Sequence, residues 1–175
     1  MELLKRMPRD SACAEIGVWK GDFSRQILKR TTPRKLHLID PWKYQPEFPS
    51  RTFGGKRAKK QEDMDRIFEV VSARFRELPN VEIHRAFSNQ ALGEFQDGYF
   101  DWVYLDGNHA YDYVLEDLSL CFAKVRSGGL ISGDDYTWGR KCGFPVEKAV
   151  KHFVEENALE NRIDIIDSQF IIEKP

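Results

Sequence analysis

Several things are scarce in this chain of 175 residues, and each scarcity removes a class of function. Cysteine occurs at Cys13, Cys121 and Cys142 only, an odd number with no C-x-x-C spacing. That excludes a disulfide framework and argues against a zinc site, leaving free thiols suited to a reducing cytoplasm. An excess of one charge is also missing: 27 basic against 28 acidic residues give a net charge of −1. Nothing there provides the basic surface that displaces counterions from nucleic acid, so no nucleic-acid partner is expected. No apolar run approaches the roughly 20 residues needed to span a bilayer, so no membrane partner is expected either. Residues 1–10 are too charged and too short to read as a secretory signal. Internal repeats and low-complexity linkers are absent too. The expectation is one domain over residues 1–175, in the cytoplasm.

What is present is an alternation of strand and helix signals, with 41% hydrophobic residues to build a core. Residues 11–18 form a short apolar run that stops at a glycine. Residues 35–40, 81–85 and 101–106 read as further strands, and 130–132 as a brief fifth. Helical spacing joins Phe23, Ile27 and Leu28; then Met64, Ile67, Phe68, Val71 and Phe75; then Val114, Leu118, Cys121 and Val125. Gly128 and Gly129 are expected to stop that third helix. Pro145 suits the first turn of another, with Val146, Ala149, Val150 and Phe153 in period. The tail, 163–166 and 169–173 around Asp167-Ser168, reads as a β-hairpin. Together these predict an α/β fold, a mainly parallel sheet closed by antiparallel strands. In such sheets ligands bind outside the carboxyl ends of the strands.

The first strand ends in Glu15-Ile16-Gly17-Val18-Trp19-Lys20-Gly21, a turn whose glycines allow close approach of a ligand to the backbone. It departs from G-x-G-x-x-G, so a pyrophosphate fits it poorly; it also reads as a plain strand-to-helix turn. The second strand ends in Asp40, 23 positions after Gly17. An acid there can accept both hydroxyls of a ribose, or simply cap the loop before Pro41. The fourth and fifth strands end in Asp106 and in Asp134-Asp135. If those strands are neighbours, three carboxylates converge, which invites a hard cation such as Mg²⁺; the alternative is an Asp-Gly turn and a loop cap. His109, three residues past Asp106, faces the same mouth or is structural.

These residues carry a resemblance. Glu15-Ile-Gly-x-x-x-Gly21, Leu-Ile-Asp40, Phe100-Asp-x-x-x-Leu-Asp106-Gly-x-His109 and Gly128-Gly129-(x)4-Asp134-Asp135-Tyr136 resemble class I S-adenosylmethionine-dependent methyltransferases. They are most similar to the small bacterial branch of macrocin-type and other sugar O-methyltransferases. The resemblance runs from about Ala12 to the end of the chain. It implies a Rossmann-like fold with a seven-stranded, mainly parallel sheet and helices on both faces. It further implies that Glu15, Gly17 and Gly21 lie under the methionine portion of the cofactor, Asp40 at the ribose, and Phe87 and Ser88 by the adenine. Asp106, Asp134 and Asp135 would match the magnesium-binding acids; catechol-type relatives carry an amide where this chain has Asp135. The implied reaction is Mg²⁺-assisted methylation of a small-molecule hydroxyl, with Asp106 or His109 as base and Asp106 also at the cofactor.

Relatives of this branch usually carry helices ahead of the first strand that cover the acceptor site, and here about ten residues precede it. The expected cover is the segment 41–60, a lid or a subunit interface, with Gly54-Gly55 as hinge and Lys56, Arg57, Lys59 and Lys60 as a basic end. Those lysines and arginine either meet a phosphate-bearing acceptor or are a solvated loop. Trp42, Tyr44, Phe48 and Phe53, if exposed, make a homodimer reasonable. Two other readings stand beside this one: a binding module that keeps the cofactor pocket without transfer, and a metal-dependent hydrolase. The hydrolase would need histidine ligands beyond His109, from His37, His84 or His152.

Overall fold

The computed structural model describes residues 2–175. Its strands are β1 (Ala12–Ile16), β2 (Lys35–Ile39), β3 (Val81–His84), β4 (Phe100–Leu105), β5 (Val125–Gly133), β6 (Ile163–Ile166) and β7 (Gln169–Glu173). Its helices are α1 (Leu3–Arg6), α2 (Asp22–Thr31), α3 (Gln61–Phe75), α4 (Ser88–Gly93), α5 (Tyr111–Lys124) and α6 (Pro145–Glu156). All seven strands join in one sheet, in the order β3-β2-β1-β4-β5-β7-β6. The first five are parallel; β7 inserts antiparallel between β5 and β6.

Period-two alternation in the strands divides the core into two layers. Ala14, Ile16, Val103, Leu105 and Ile131 face α4, α5 and α6. Cys13, Leu36, Leu38, Trp102 and Tyr104 face α1, α2 and α3. Helices on both faces and central strands buried on both sides, as in β1, β2 and β4, are what a Rossmann-like fold requires. Leu3, Leu4 and Met7 belong to this second layer, so the first residues serve as core rather than as cover for a site.

Strand order reverses at β1, which pairs with β2 on one side and β4 on the other. The gap beyond their carboxyl ends is therefore the expected ligand crevice. Gly17 makes this junction possible. Its φ is +90°, and a Cβ there would lie 2.1 Å from the Asp106 carbonyl oxygen. Its amide donates to Ile39 O at 2.9 Å while the Asp106 amide donates to Ile16 O at 2.7 Å, so three strand ends meet on one glycine.

Two expectations are corrected here. Gly128 and Gly129 do not stop a helix: α5 ends at Lys124, and both glycines lie inside β5. Val125 pairs with Phe100 and Leu130 with Trp102, so four residues of β5 bulge between adjacent pairs. Gly129 sits where a Cβ would meet Asp101 O at 2.7 Å, a packing reason for the residue that a helix stop mimics in sequence. Gly54-Gly55 is not an open hinge either. The pair lies in a wide helical turn, Thr52–Lys56, and a Cβ on Gly54 would lie 2.1 Å from Phe48 O.

Candidate functional site

A cavity of about 490 Å³ opens beyond β1, β2 and β4, within the range of small-molecule sites. Glu15, Gly17, Asp40, Phe87, Ser88, Asp106, His109 and Asp135 all line it; Gly21 and Asp134 do not. Gly21 stands behind the turn: its φ is +72°, and a Cβ there would be 2.6 Å from the Phe75 ring. The E-x-G-x-x-x-G spacing thus has a packing cause at both glycines.

The Glu15 side chain comes up from β1, buried at 1% exposure, and accepts a hydrogen bond from Ser24 Oγ on α2. Burial holds its pKa well above the usual carboxylate range, and Asp106 and Asp40 add to the rise. Asp40 staples the glycine turn to the end of β2. Its Oδ2 accepts from Val18 N at 3.0 Å and Trp19 N at 2.9 Å, and its Oδ1 from Trp42 N at 2.7 Å. Two acceptor positions per oxygen leave Oδ1 one lone pair for a ligand, while Oδ2 is fully used. Burial raises the Asp40 pKa in spite of those three amides.

Phe87 precedes α4 and Lys43 Nζ lies 5.4 Å from its ring centroid. Ser88 is bonded to Asp117 of α5, whose carboxyl is raised to about 6, first by burial and then by Glu116. An acid raised from its ordinary 3.8 keeps its proton in the folded chain where the unfolded chain has released it. Folding stability therefore falls as pH climbs from about 4 to 6, by roughly 3 kcal/mol for a shift of this size. Asp117→Asn removes that loss. Urea unfolding should show the variant gaining on the natural chain by about that amount between pH 4 and pH 8. The same difference at both pH values would contradict the assignment.

At the far side of the cavity Asp106, His109 and Asp135 come together, with ligating atoms all within 4.8 Å of one another. His109 Nε2 is hydrogen-bonded to Asp135 Oδ2 and lies 3.6 Å from Asp106 Oδ1. Asp106 is raised to about 7 by burial and by the charges of Asp134 and Asp135, with His109 opposing. Asp135 has φ +58°, and its amide donates to Asp134 Oδ1 at 2.8 Å. That left-handed turn sends the two neighbouring carboxylates apart. Asp134 Oδ1 also accepts from Ser168 Oγ at 3.2 Å, at the hairpin. The three acids expected to converge are thus two acids and a histidine. Such a donor set suits a divalent ion that accepts nitrogen as well as oxygen; Mg²⁺, which prefers oxygen throughout, would need Asp134 to turn from Ser168.

The other histidines stand elsewhere. His37 Nδ1 meets His84 Nε2 at 2.9 Å on β2 and β3, and His152 stacks on Tyr111. None of the three lines the cavity. From the segment 41–60, Gln45, Ser50, Arg51, Thr52, Phe53 and Lys56 line the cavity. Its aromatics are not exposed: Trp42 is fully buried and stacks near Phe68, while Tyr44, Phe48 and Phe53 are half-buried. The premise of the homodimer expectation is therefore removed. Sequence reading missed Arg51, Trp138, Tyr113 and Asn108. Asn108 lies two residues past Asp106, at the variable position of the Asp-Gly-x-His run; its Nδ2 is a buried donor with no partner.

A family model described as a methyltransferase domain matches residues 14–136, well over half of the chain. No curated protein matches the sequence. Among solved structures, the O-methyltransferase NovP is 18% identical, with 99% of this chain and 78% of that one covered and a TM-score of 0.68. An rRNA methylase from Streptococcus thermophilus is 13% identical, with 99% and 92% covered and a TM-score of 0.62. A spermidine synthase from Thermotoga maritima is 14% identical, with 98% and 56% covered and a TM-score of 0.58. At such identities the likeness is one of fold. No helix among the described residues is long and apolar enough to cross a membrane.

Proposed function

The chain belongs to the S-adenosylmethionine-dependent methyltransferase-domain family, and from that premise we propose that it methylates a hydroxyl oxygen of a small molecule. The observation that carries this reading is the cluster of Asp106, His109 and Asp135 on the cavity wall. The neighbouring folds include catalysts of different acceptors, so the chemistry of the wall has to choose among them. An amine needs little help to present a lone pair, whereas an alcohol is a poor nucleophile until its proton is drawn away. A carboxylate raised to about 7 beside an imidazole–carboxylate pair supplies that help. The strap 41–60 on the cavity wall favours a small acceptor over a polynucleotide.

In this reading the glycine turn and Asp40 hold the cofactor, with Glu15 beneath it and Phe87 and Ser88 beside the adenine. His109 donates its Nε2 proton to Asp135, which leaves Asp106 as the base. Asp106 takes the acceptor's hydroxyl proton; the oxygen bonds to the methyl carbon as the sulfur–methyl bond breaks; the sulfonium leaves as the neutral thioether. The rigid strand end that carries Asp106 fixes its distance from both partners. A divalent ion, where bound, would be held by Asp106 and Asp135 and would lower the pKa of the acceptor hydroxyl.

Calorimetry with S-adenosylmethionine, followed by transfer assays on paired hydroxyl and amine acceptors with EDTA or added Mg²⁺ or Mn²⁺, tests this. Cofactor binding without metal, and transfer to hydroxyls that chelation suppresses by at least about tenfold, is the expected result. Cofactor binding with no transfer to any acceptor would favour a non-catalytic binding module, and transfer to amines alone would refute the oxygen acceptor. No cofactor binding would reopen the metal-dependent hydrolase.

A further inference from the structure

Arg51 is placed as a working cation without a partner. Its backbone is pinned: its amide donates to Phe48 O at 2.9 Å, and its carbonyl accepts from Gly54 N at 3.2 Å and Lys56 N at 2.9 Å. The guanidinium lies 4.1 Å from the centroid of the Trp138 ring. Trp138 in turn sits edge-on to His109, with ring centroids 5.3 Å apart, and its amide donates to Asp135 O at 2.8 Å. The arginine head thus reaches the wall that carries the proposed base.

Contact with the indole face uses none of the guanidinium's five N–H donors. Among the described residues, none accepts a hydrogen bond from those donors; Asp135, the acid that acts on Arg51, is itself paired with His109. The head is half-buried, and burial costs it part of its hydration. A partly desolvated charge with its N–H donors unspent gains further from an incoming anion. A second cation, Lys20, lines the cavity from the glycine turn and is available to the cofactor's own carboxylate. Ser50 and Thr52 flank Arg51 on the cavity wall with hydroxyls suited to the same anion.

Resting on the reading of an oxygen acceptor, we propose that the acceptor carries an anionic group, carboxylate or phosphate, that Arg51 grips in its planar fork while Trp138 holds the fork in place. The group sits on the strap side of the cavity, with the reacting hydroxyl turned to Asp106. This gives the strap a part in choosing the substrate.

The test uses the full chain saturated with S-adenosylhomocysteine and titrated calorimetrically with glucose 1-phosphate, glucuronate, inorganic phosphate and glucose. Anionic members should bind at least about tenfold more tightly than glucose, the worth of a charge-assisted hydrogen bond. Arg51→Gln should erase that preference and leave S-adenosylhomocysteine affinity unchanged. Which anion loses most identifies carboxylate or phosphate. No preference for any anion over glucose, or a preference that survives Arg51→Gln, would overturn the subsite. Weakened S-adenosylhomocysteine binding in Arg51→Gln would also overturn it, by assigning the arginine to the cofactor. The two readings fail separately: transfer to amines alone in the S-adenosylmethionine assays sinks the oxygen acceptor, and transfer to neutral diols without preference sinks the subsite.

Discussion

Replacing Asp106 by Asn should lower kcat by about 10³-fold or more and leave the S-adenosylmethionine Kd within about threefold. The two side chains are isosteric, and the position is held by backbone bonds, Asp106 N to Ile16 O at 2.7 Å and Asp134 N to Leu105 O at 3.0 Å. What disappears is an oxygen that can take a proton near neutral pH. With no divalent ion bound the carboxyl is raised to about 7, so under EDTA the natural chain holds it protonated and idle at pH 5 and charged and competent at pH 8. The rate should rise through that interval and then level, and the residual rate of Asp106→Asn should lack this limb. Steady-state assays across pH, with calorimetry of the cofactor, distinguish a lost base from a lost pocket. Activity within tenfold of the natural chain, or loss of cofactor binding in parallel, would rule out Asp106 as the base.

His109→Gln gives a useful contrast because it leaves Asp106 in place. Removing the imidazole removes the charge that lowers the Asp106 pKa and frees Asp135 beside it. The pH limb should therefore move upward in this variant, whereas a purely structural histidine would leave it where it was. The expected sign follows from electrostatics alone: less positive and more free negative charge near a carboxyl makes its proton harder to remove.

How much of this was legible in the sequence depends on how local the cause is. Three strand ends were readable because the apolar runs of β1, β2 and β4 stop at a glycine or an acid, and strand ends are where an α/β sheet puts its chemistry. Asp40, Asp106 and the turn at Gly17 were found in this way. The reason for the glycines was not readable. Gly17 answers to the Asp106 carbonyl and Gly21 to the Phe75 ring, contacts 89 and 54 positions away. Side-chain direction was least readable of all. Asp134 and Asp135 are adjacent, and only the left-handed backbone at Asp135 decides which one joins His109. Arg51 and Trp138 carry no motif, because their meeting is a product of how the strap folds over the sheet.

Asp40→Ala should cost about 3 kcal/mol of folding stability without cofactor and weaken S-adenosylmethionine binding by at least about 100-fold. The magnitude comes from the amides of Val18, Trp19 and Trp42, which lose their acceptor at a site where Asp40 is only 9% exposed. An aspartate that served the ribose alone would stand free of the backbone, and its loss would spare stability. Here both effects share one cause. The carboxylate that shapes the turn also lines the cavity with one Oδ1 lone pair unspent, so in the proposed reading one group serves both the turn and the ribose. Asp40→Asn separates the two. Its remaining oxygen still accepts two amides, but its NH₂ opposes the third, so stability should fall by about 1–2 kcal/mol. Cofactor affinity should drop more than that partial loss predicts, because the surviving acceptor is drawn into the turn. Urea unfolding and cofactor calorimetry on both variants give the comparison. Full stability in Asp40→Ala would mean that water replaces the carboxylate in the turn and that Asp40 is there for the ligand alone.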